Sequence, residues 1–151
     1  MKHRVGLICS AGGHLAQLHW LRHWWGEHDR FWVTFDTPDA RQLLVEERTY
    51  WGHQPTNRHL GNLGRNTRLA WDILRREAPD VLVSNGAGLA LPFFYVARAL
   101  GIKLVFIEVY DRIDSPSLTG RLLRPVADEV VLQWSEQARF YPEGTVLGPI
   151  R

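Results

Sequence analysis

A single cysteine, Cys9, occurs in the 151 residues. No internal disulfide is available, and a reducing compartment is the expected setting. Long apolar runs are missing as well. Met1-Lys2-His3-Arg4 leads only into Val5-Gly6-Leu7-Ile8, far short of a signal-peptide core or a membrane span. The expected location is therefore the cytoplasm, with any membrane contact peripheral. Neither charge dominates: 18 Lys and Arg against 16 Asp and Glu give a formal +2. That balance lacks the concentrated basic stripe of a nucleic-acid binder, so no nucleic-acid partner is expected. The G-x-G-x-x-G spacing of a dinucleotide site is absent after the first apolar run, although Asp36 stands where a ribose-binding acid would; a Walker lysine is absent too. His19, His23 and His28 have no converging carboxylate pair and Cys9 is the sole thiol, which argues against a zinc site. No metal and no cofactor are expected.

What is present reads as one ordinary globular domain over residues 1–151, with 45% hydrophobic and 23% charged residues. Short runs rich in branched residues recur at Val5 to Ile8, Phe31 to Phe35, Val81 to Val83, Leu104 to Val109 and Val130 to Leu132. Helical patterns lie between most of them: Leu15 to Trp25, Ala70 to Arg76 and Leu91 to Leu100. Alternation of this kind predicts an α/β fold, a Rossmann-like parallel sheet with helices on both faces. Five or six strands are expected, the first at about Arg4 to Ser10 with Gly12-Gly13 at the turn into the first helix. The polar, glycine-rich stretch "GHQPTNRHLGNLGRN" (52 to 66) reads as a long loop.

Ligands of an open parallel sheet bind beyond the carboxyl ends of its strands. Three such ends carry unusual residues: "SAGGH" (10 to 14), "SNGAGLALP" (84 to 92) and "IEVYDR" (107 to 112). Gly12 and Gly13 allow close backbone approach and offer free amides at a helix start, which suits an anion such as a phosphate. Gly86 and Gly88 build a second loop facing the same crevice. Tight turns alone would also explain the glycines.

Taken together, "SAGGHLAQL", "PDVLVSNGAGLALP", "VFIEVYDRIDSPSLTGRLLRPVADEVVLQW" and "YPEGTVLGP" resemble bacterial polysaccharide-biosynthesis proteins of the PssD and CpsF type. They are also similar to the membrane-anchoring subunit of the two-component dolichol-pathway UDP-GlcNAc transferase. The resemblance implies the N-terminal, acceptor-side half of a GT-B glycosyltransferase. A separate donor-binding subunit would hold the nucleotide sugar. The loops also resemble those of the single-chain GlcNAc transferase of peptidoglycan lipid precursors, which implies a lipid-diphosphate-linked saccharide as acceptor. Residue by residue, Gly12, Gly13 and His14 match the first glycine loop, and Asn85, Gly86 and Gly88 match the second. Glu108 stands at the position of an acceptor-site glutamate, and Arg112 matches a shared basic residue. The eukaryotic relatives carry an anchor ahead of the first strand that is not expected here. "TVLGPIR" resembles the start of an interdomain linker, in keeping with a divided enzyme.

Glycosyl transfer needs a base at the acceptor hydroxyl. His14 at a helix start would have its neutral form favoured by the dipole, which suits a general base; capping or ordering the loop is the other role open to it. Glu108 could serve as base, orient the acceptor, or pair with Arg112. Two functions follow: a catalytic acceptor half that is inactive without its partner, or a non-catalytic scaffold that recruits or activates the partner transferase. Two surfaces are also expected. Trp134, Phe140 and Tyr141 would form a docking surface for the partner. On a helical wheel Leu15, Leu18, Leu21 and Trp25 share the face toward the sheet. Trp20 and Trp24 fall opposite, flanked by His19, Arg22 and His23, as a membrane or partner contact at the cytoplasmic leaflet.

Overall fold

The computed structural model describes residues 2–150; Met1 and Arg151, the ends of the expected 1–151 domain and of the two terminal motifs, lie outside the described residues. Seven strands form one sheet: β1 (Arg4–Ile8), β2 (Asp29–Phe35), β3 (Thr49–Gly52), β4 (Val81–Ser84), β5 (Lys103–Ile107), β6 (Glu129–Leu132) and β7 (Thr145–Val146). Every pairing is parallel, in the order β3-β2-β1-β4-β5-β6-β7. The helices are α1 (Gly13–Trp20), α2 (Arg22–Trp25), α3 (Pro38–Leu43), α4 (Leu60–Glu77), α5 (Ala90–Ala99) and α6 (Leu118–Leu123), with a 3₁₀ turn at Ser135–Arg139. The Rossmann-like parallel sheet is as expected, with two strands more than the apolar runs indicated. β3 is an edge strand whose four residues are all half-buried, so it needs no continuous apolar run. β7 is only two residues long.

The two faces of the sheet are covered unequally. Ile8, Phe31, Val33, Leu82, Leu104, Phe106 and Leu132 pack beneath α4, α5 and α6. On the other face Val5, Leu7, Cys9 and Trp32 pack beneath α1, α2 and α3 through Leu15, Leu18, Trp25 and Ala40. Past β1 that cover thins, although Val83 and Ile107 are still buried. Over β4 to β6, Val81, Val105 and Val131 remain half-buried, lining an apolar cavity of about 480 Å³ with Trp24 and Ile150 on its rim.

The expected first helix breaks in two at Leu21, whose φ of −80° and ψ of 19° leave the helical region. Three of the four expected sheet-facing residues, Leu15, Leu18 and Trp25, are buried, and the Trp25 indole donates to the Leu18 carbonyl at 3.0 Å, whereas Leu21, at the break, is half-buried.

The stretch 52 to 66 is not all loop, because α4 begins at Leu60. Two glycines and two asparagines argue locally against helix, and tertiary bonds override them. Asn62 donates to the Pro55 carbonyl at 2.9 Å. Asn66 accepts from the His53 amide at 2.8 Å and donates to the His53 carbonyl at 2.9 Å. His59 caps the helix through Nδ1, which accepts from the Asn62 amide at 3.0 Å. Both asparagines are buried, and they clamp residues 53 to 59 onto the helix they begin.

The expected aromatic docking surface near the C-terminus is not formed. Tyr141 is buried in the main core, while Trp134 and Phe140 are half-buried. Trp134 donates its indole N–H to the Tyr110 carbonyl at 2.7 Å. These rings fasten the chain's own loops.

Candidate functional site

Strand order reverses between β1 and β4, and the loops after these two strands flank a crevice at the switch point. Gly12 turns the first loop with φ 81° and ψ −132°, a combination that side chains disfavour. Gly13 has ordinary freedom, yet a Cβ placed there would meet no atom within 4 Å. Its glycine therefore leaves open space rather than relieving a clash in the chain. The Gly12 amide donates to Asp39 Oδ2 at 3.3 Å. Hydrogen bonds, first from the Thr37 hydroxyl, hold that carboxyl below the usual range. An anion at the first loop would share the Gly12 amide with this carboxylate.

In the second loop Asn85 is fully buried, and its Nδ2 donates to the backbone carbonyl of His14 at 2.8 Å. A Cβ on Gly86 (φ 106°) would lie 3.9 Å from His14 Cε1, so Gly86 and the imidazole are neighbours. His14, Asn85 and Gly86 thus meet as expected from the strand ends. Two buried atoms here have no hydrogen-bond partner among the described residues: His14 Nδ1 and Asn85 Oδ1. Orphan buried polar atoms are costly and uncommon. Gly88 has a different reason to be glycine: a Cβ there would come within 2.5 Å of Thr56 Oγ1. It closes the second loop against residues 53 to 59.

Glu108 is fully buried. Its carboxylate accepts from the Val109 amide (2.9 Å), the Ser117 amide (3.0 Å), the Ser117 hydroxyl (2.9 Å) and the Tyr141 hydroxyl (2.5 Å). Neither Arg112 nor any other arginine pairs with it among the described residues. Four donors and no exposed edge make this carboxylate a fastener of residues 109 to 117, with no face toward a substrate. Burial, and then the hydrogen bond to Glu108, push the Tyr141 hydroxyl far above its ordinary pKa. Arg112 is exposed within that segment, beyond the carboxyl end of β5. Gln137, itself fully buried, holds its backbone: Nε2 donates to the Val109 and Arg112 carbonyls, each at 3.0 Å. Neither Ser117 nor Gln137 is expected from the sequence, and Tyr141 is expected only at a docking surface, because nothing local marks a residue that bonds a loop 9 to 33 positions away.

Trp20 and Trp24 are 53% and 41% exposed, and Trp24 lines the cavity over the open half of the sheet. No group of three or more His, Cys, Asp or Glu among the described residues could hold a metal.

Residues 64–150 match the family described as "Oligosaccharide biosynthesis protein Alg14 like". The chain belongs to the Alg14-like family. Among its relatives, UDP-N-acetylglucosamine transferase subunit alg14 of Schizosaccharomyces pombe is 29% identical over 119 residues, covering 76% of this chain and 54% of that protein. The Mus musculus subunit ALG14 is 31% identical over 87 residues, covering 54% of this chain and 40% of that one. The Alg14-like chain thus spans about half the length, or less, of these relatives. Its fold is similar to Acinetobacter baumannii MurG, with TM-score 0.76 at 18% identity over 89% of this chain and 42% of that one. A UDP-N-acetylglucosamine 2-epimerase from Rickettsia bellii gives TM-score 0.78 at 12% identity over 99% and 45%. The Alg14-like chain is accordingly a Rossmann-like half of a GT-B glycosyltransferase fold.

Proposed function

We propose that this chain is the acceptor-side subunit of a two-component glycosyltransferase, which moves a sugar from a nucleotide sugar to a lipid-linked saccharide in polysaccharide biosynthesis. One observation supports the reading: where the two glycine loops meet at the switch point, His14 Nδ1 and Asn85 Oδ1 are each buried and without a hydrogen-bond partner among the described residues. An acceptor hydroxyl that parts the two loops on entry would give each of these atoms a donor. In the transfer the acceptor hydroxyl oxygen bonds to the anomeric carbon, the bond from that carbon to the nucleotide diphosphate breaks, and the hydroxyl proton passes to His14 Nδ1. Asn85 Oδ1 accepts from a neighbouring hydroxyl and orients the ring. Gly12, Gly13 and Gly86 give the acceptor's diphosphate close access to backbone, and Arg112 supplies a cation at the crevice end. Gly88 and Glu108 act indirectly, the first by seating the second loop and the second by holding the segment that bears Arg112.

A separate subunit binds the nucleotide sugar and closes the other side of the crevice. Trp20 and Trp24, both exposed, are the contact for that subunit or for the cytoplasmic leaflet. No described helix is long and apolar enough to cross a membrane, and peripheral association at the cytoplasmic face agrees with that. The scaffold reading has one observation in its favour: burial of Glu108 withdraws one of the two expected bases. Reconstitution with the donor-binding subunit separates the two. His14→Ala lowers turnover about 100-fold or more if the imidazole is the base, whereas a scaffold keeps its full stimulating effect.

A further inference from the structure

The first helix starts without a cap of its own. Gly12 has no side chain to offer at the N-cap position, and the first turn of α1 contains no acid. Such a start leaves backbone N–H groups without partners, a need that Ser, Thr, Asp or Asn at the N-cap usually meets. Here a different element meets it. Asp39, in the first turn of α3 and 27 positions further along, accepts from the Gly12 amide through Oδ2.

This carboxylate differs from an ordinary cap in three ways. At 3.3 Å the contact is longer than the usual range for an amide and an oxygen, and Asp39 is exposed, so the bond is readily exchanged. Asp39 also has no basic partner among the described residues. Nearby Arg41 donates instead to Asp36 Oδ2 at 2.7 Å, and its guanidinium lies 5.3 Å over the Trp51 ring. Finally, the hydrogen bonds led by the Thr37 hydroxyl keep the Asp39 carboxyl ionised at neutral pH. An uncompensated negative charge therefore stands at the amide where the proposed diphosphate comes in, next to the open space over Gly13.

We infer that Asp39 gates the first glycine loop against free anions: its carboxylate holds the Gly12 amide until a phosphate group displaces it against like-charge repulsion. Every anion meets the same barrier. One held by nothing else is kept out, while a diphosphate whose sugar is also held at His14 and Asn85 enters. The gate rests on the diphosphate position proposed above and adds its control. A carboxylate that served only as a cap would act in the opposite sense, since its removal would loosen the loop and weaken any anion bound there.

Titration of the chain with inorganic pyrophosphate tests the gate, read by calorimetry and by the Gly12 amide resonance. Asp39→Asn keeps the size and removes the charge, and Asp39→Ala removes both. Each is expected to bind pyrophosphate at least about five-fold tighter than wild type, as the loss of one like charge about 4 Å away implies. The gain should shrink as salt is raised. Glu46→Gln, on an exposed turn, makes the same change in net charge and should alter affinity less than about two-fold, being screened from the loop. Thermal melts check the fold of each variant. Equal or weaker binding by Asp39→Asn overturns the inference, and weaker binding by both variants with lower melting midpoints would make Asp39 a cap. Tightening in Asp39→Ala alone also overturns it, because bulk and not charge would then be the barrier. So does a Gly12 resonance that Asp39→Asn leaves unmoved before pyrophosphate is added. Absence of pyrophosphate binding by all the proteins removes the gate together with the diphosphate position. The two-component assay separates the gate from the function itself. Transfer by a chain whose pyrophosphate affinity ignores Asp39 removes the gate and keeps the transferase. Tightening in Asp39→Asn without transfer to any acceptor does the reverse.

Discussion

The side-chain amide of Asn85 reaches the backbone carbonyl of His14 at 2.8 Å, across 71 positions of chain. This bond joins the two glycine loops over the switch point, and it fixes the loop backbone while leaving both His14 Nδ1 and Asn85 Oδ1 free. Removing Asn85 therefore acts on shape and on binding together. Asn85→Ala is expected to cost about 1–3 kcal/mol of stability, since a buried carbonyl loses its donor. Asn85→Asp keeps the size, loses the donor and places a carboxylate against that carbonyl, so it should cost at least as much. Denaturant melts of the three proteins measure both, and equal midpoints for wild type and Asn85→Ala would contradict the bond.

Adjacent glycines in the first loop should respond oppositely. Gly12→Ala forces a side chain into φ 81° and ψ −132° and should destabilise by roughly 1–2 kcal/mol. Gly13→Ala meets no protein atom within 4 Å and should change stability by less than about 0.5 kcal/mol. If the space over Gly13 is for a ligand, acceptor affinity in the two-component assay should nevertheless fall in Gly13→Ala. Thermal melts beside acceptor titrations give both quantities. A large stability loss at Gly13 would mean the space is not free.

Cys9 sits one residue past β1, fully buried, and burial pushes its thiol from 9.0 up to about 12. The unfolded chain releases this proton near pH 9 while the folded chain keeps it. Stability is thus complete below pH 9 and declines as pH rises toward 12, by about 1.4 kcal/mol per unit from this group. Tyr141, whose pKa is also raised, adds a decline above about pH 10, its unfolded value. Urea midpoints from pH 7 to 11 check the slope, and Cys9→Ala should flatten it between 9 and 10. The thiol should also stay inert to alkylation at neutral pH.

The sheet, its parallel sense and the meeting of the two glycine loops were legible because apolar runs and strand-end residues are local signals. β3 was not, since half-buried Thr49 to Gly52 form no run. The start of α4 was hidden because Asn62 and Asn66 become helix-compatible only through bonds to His53 and Pro55. Glu108 was visible as a strand-end acid, but its burial depends on Ser117 and Tyr141, 9 and 33 positions away. Sequence patterns locate the glycine loops at the strand ends; they do not tell which charged residue stays open to the crevice and which one ties a loop down.

The unequal covering of the sheet has a consequence for handling and for the cell. A half-buried valine face over β4 to β6, with Leu147 71% exposed nearby, is an apolar plane open to solvent. Self-association through it is expected to grow with concentration. If the proposed second subunit covers that plane, copies made in excess of it would be the ones that self-associate and are cleared.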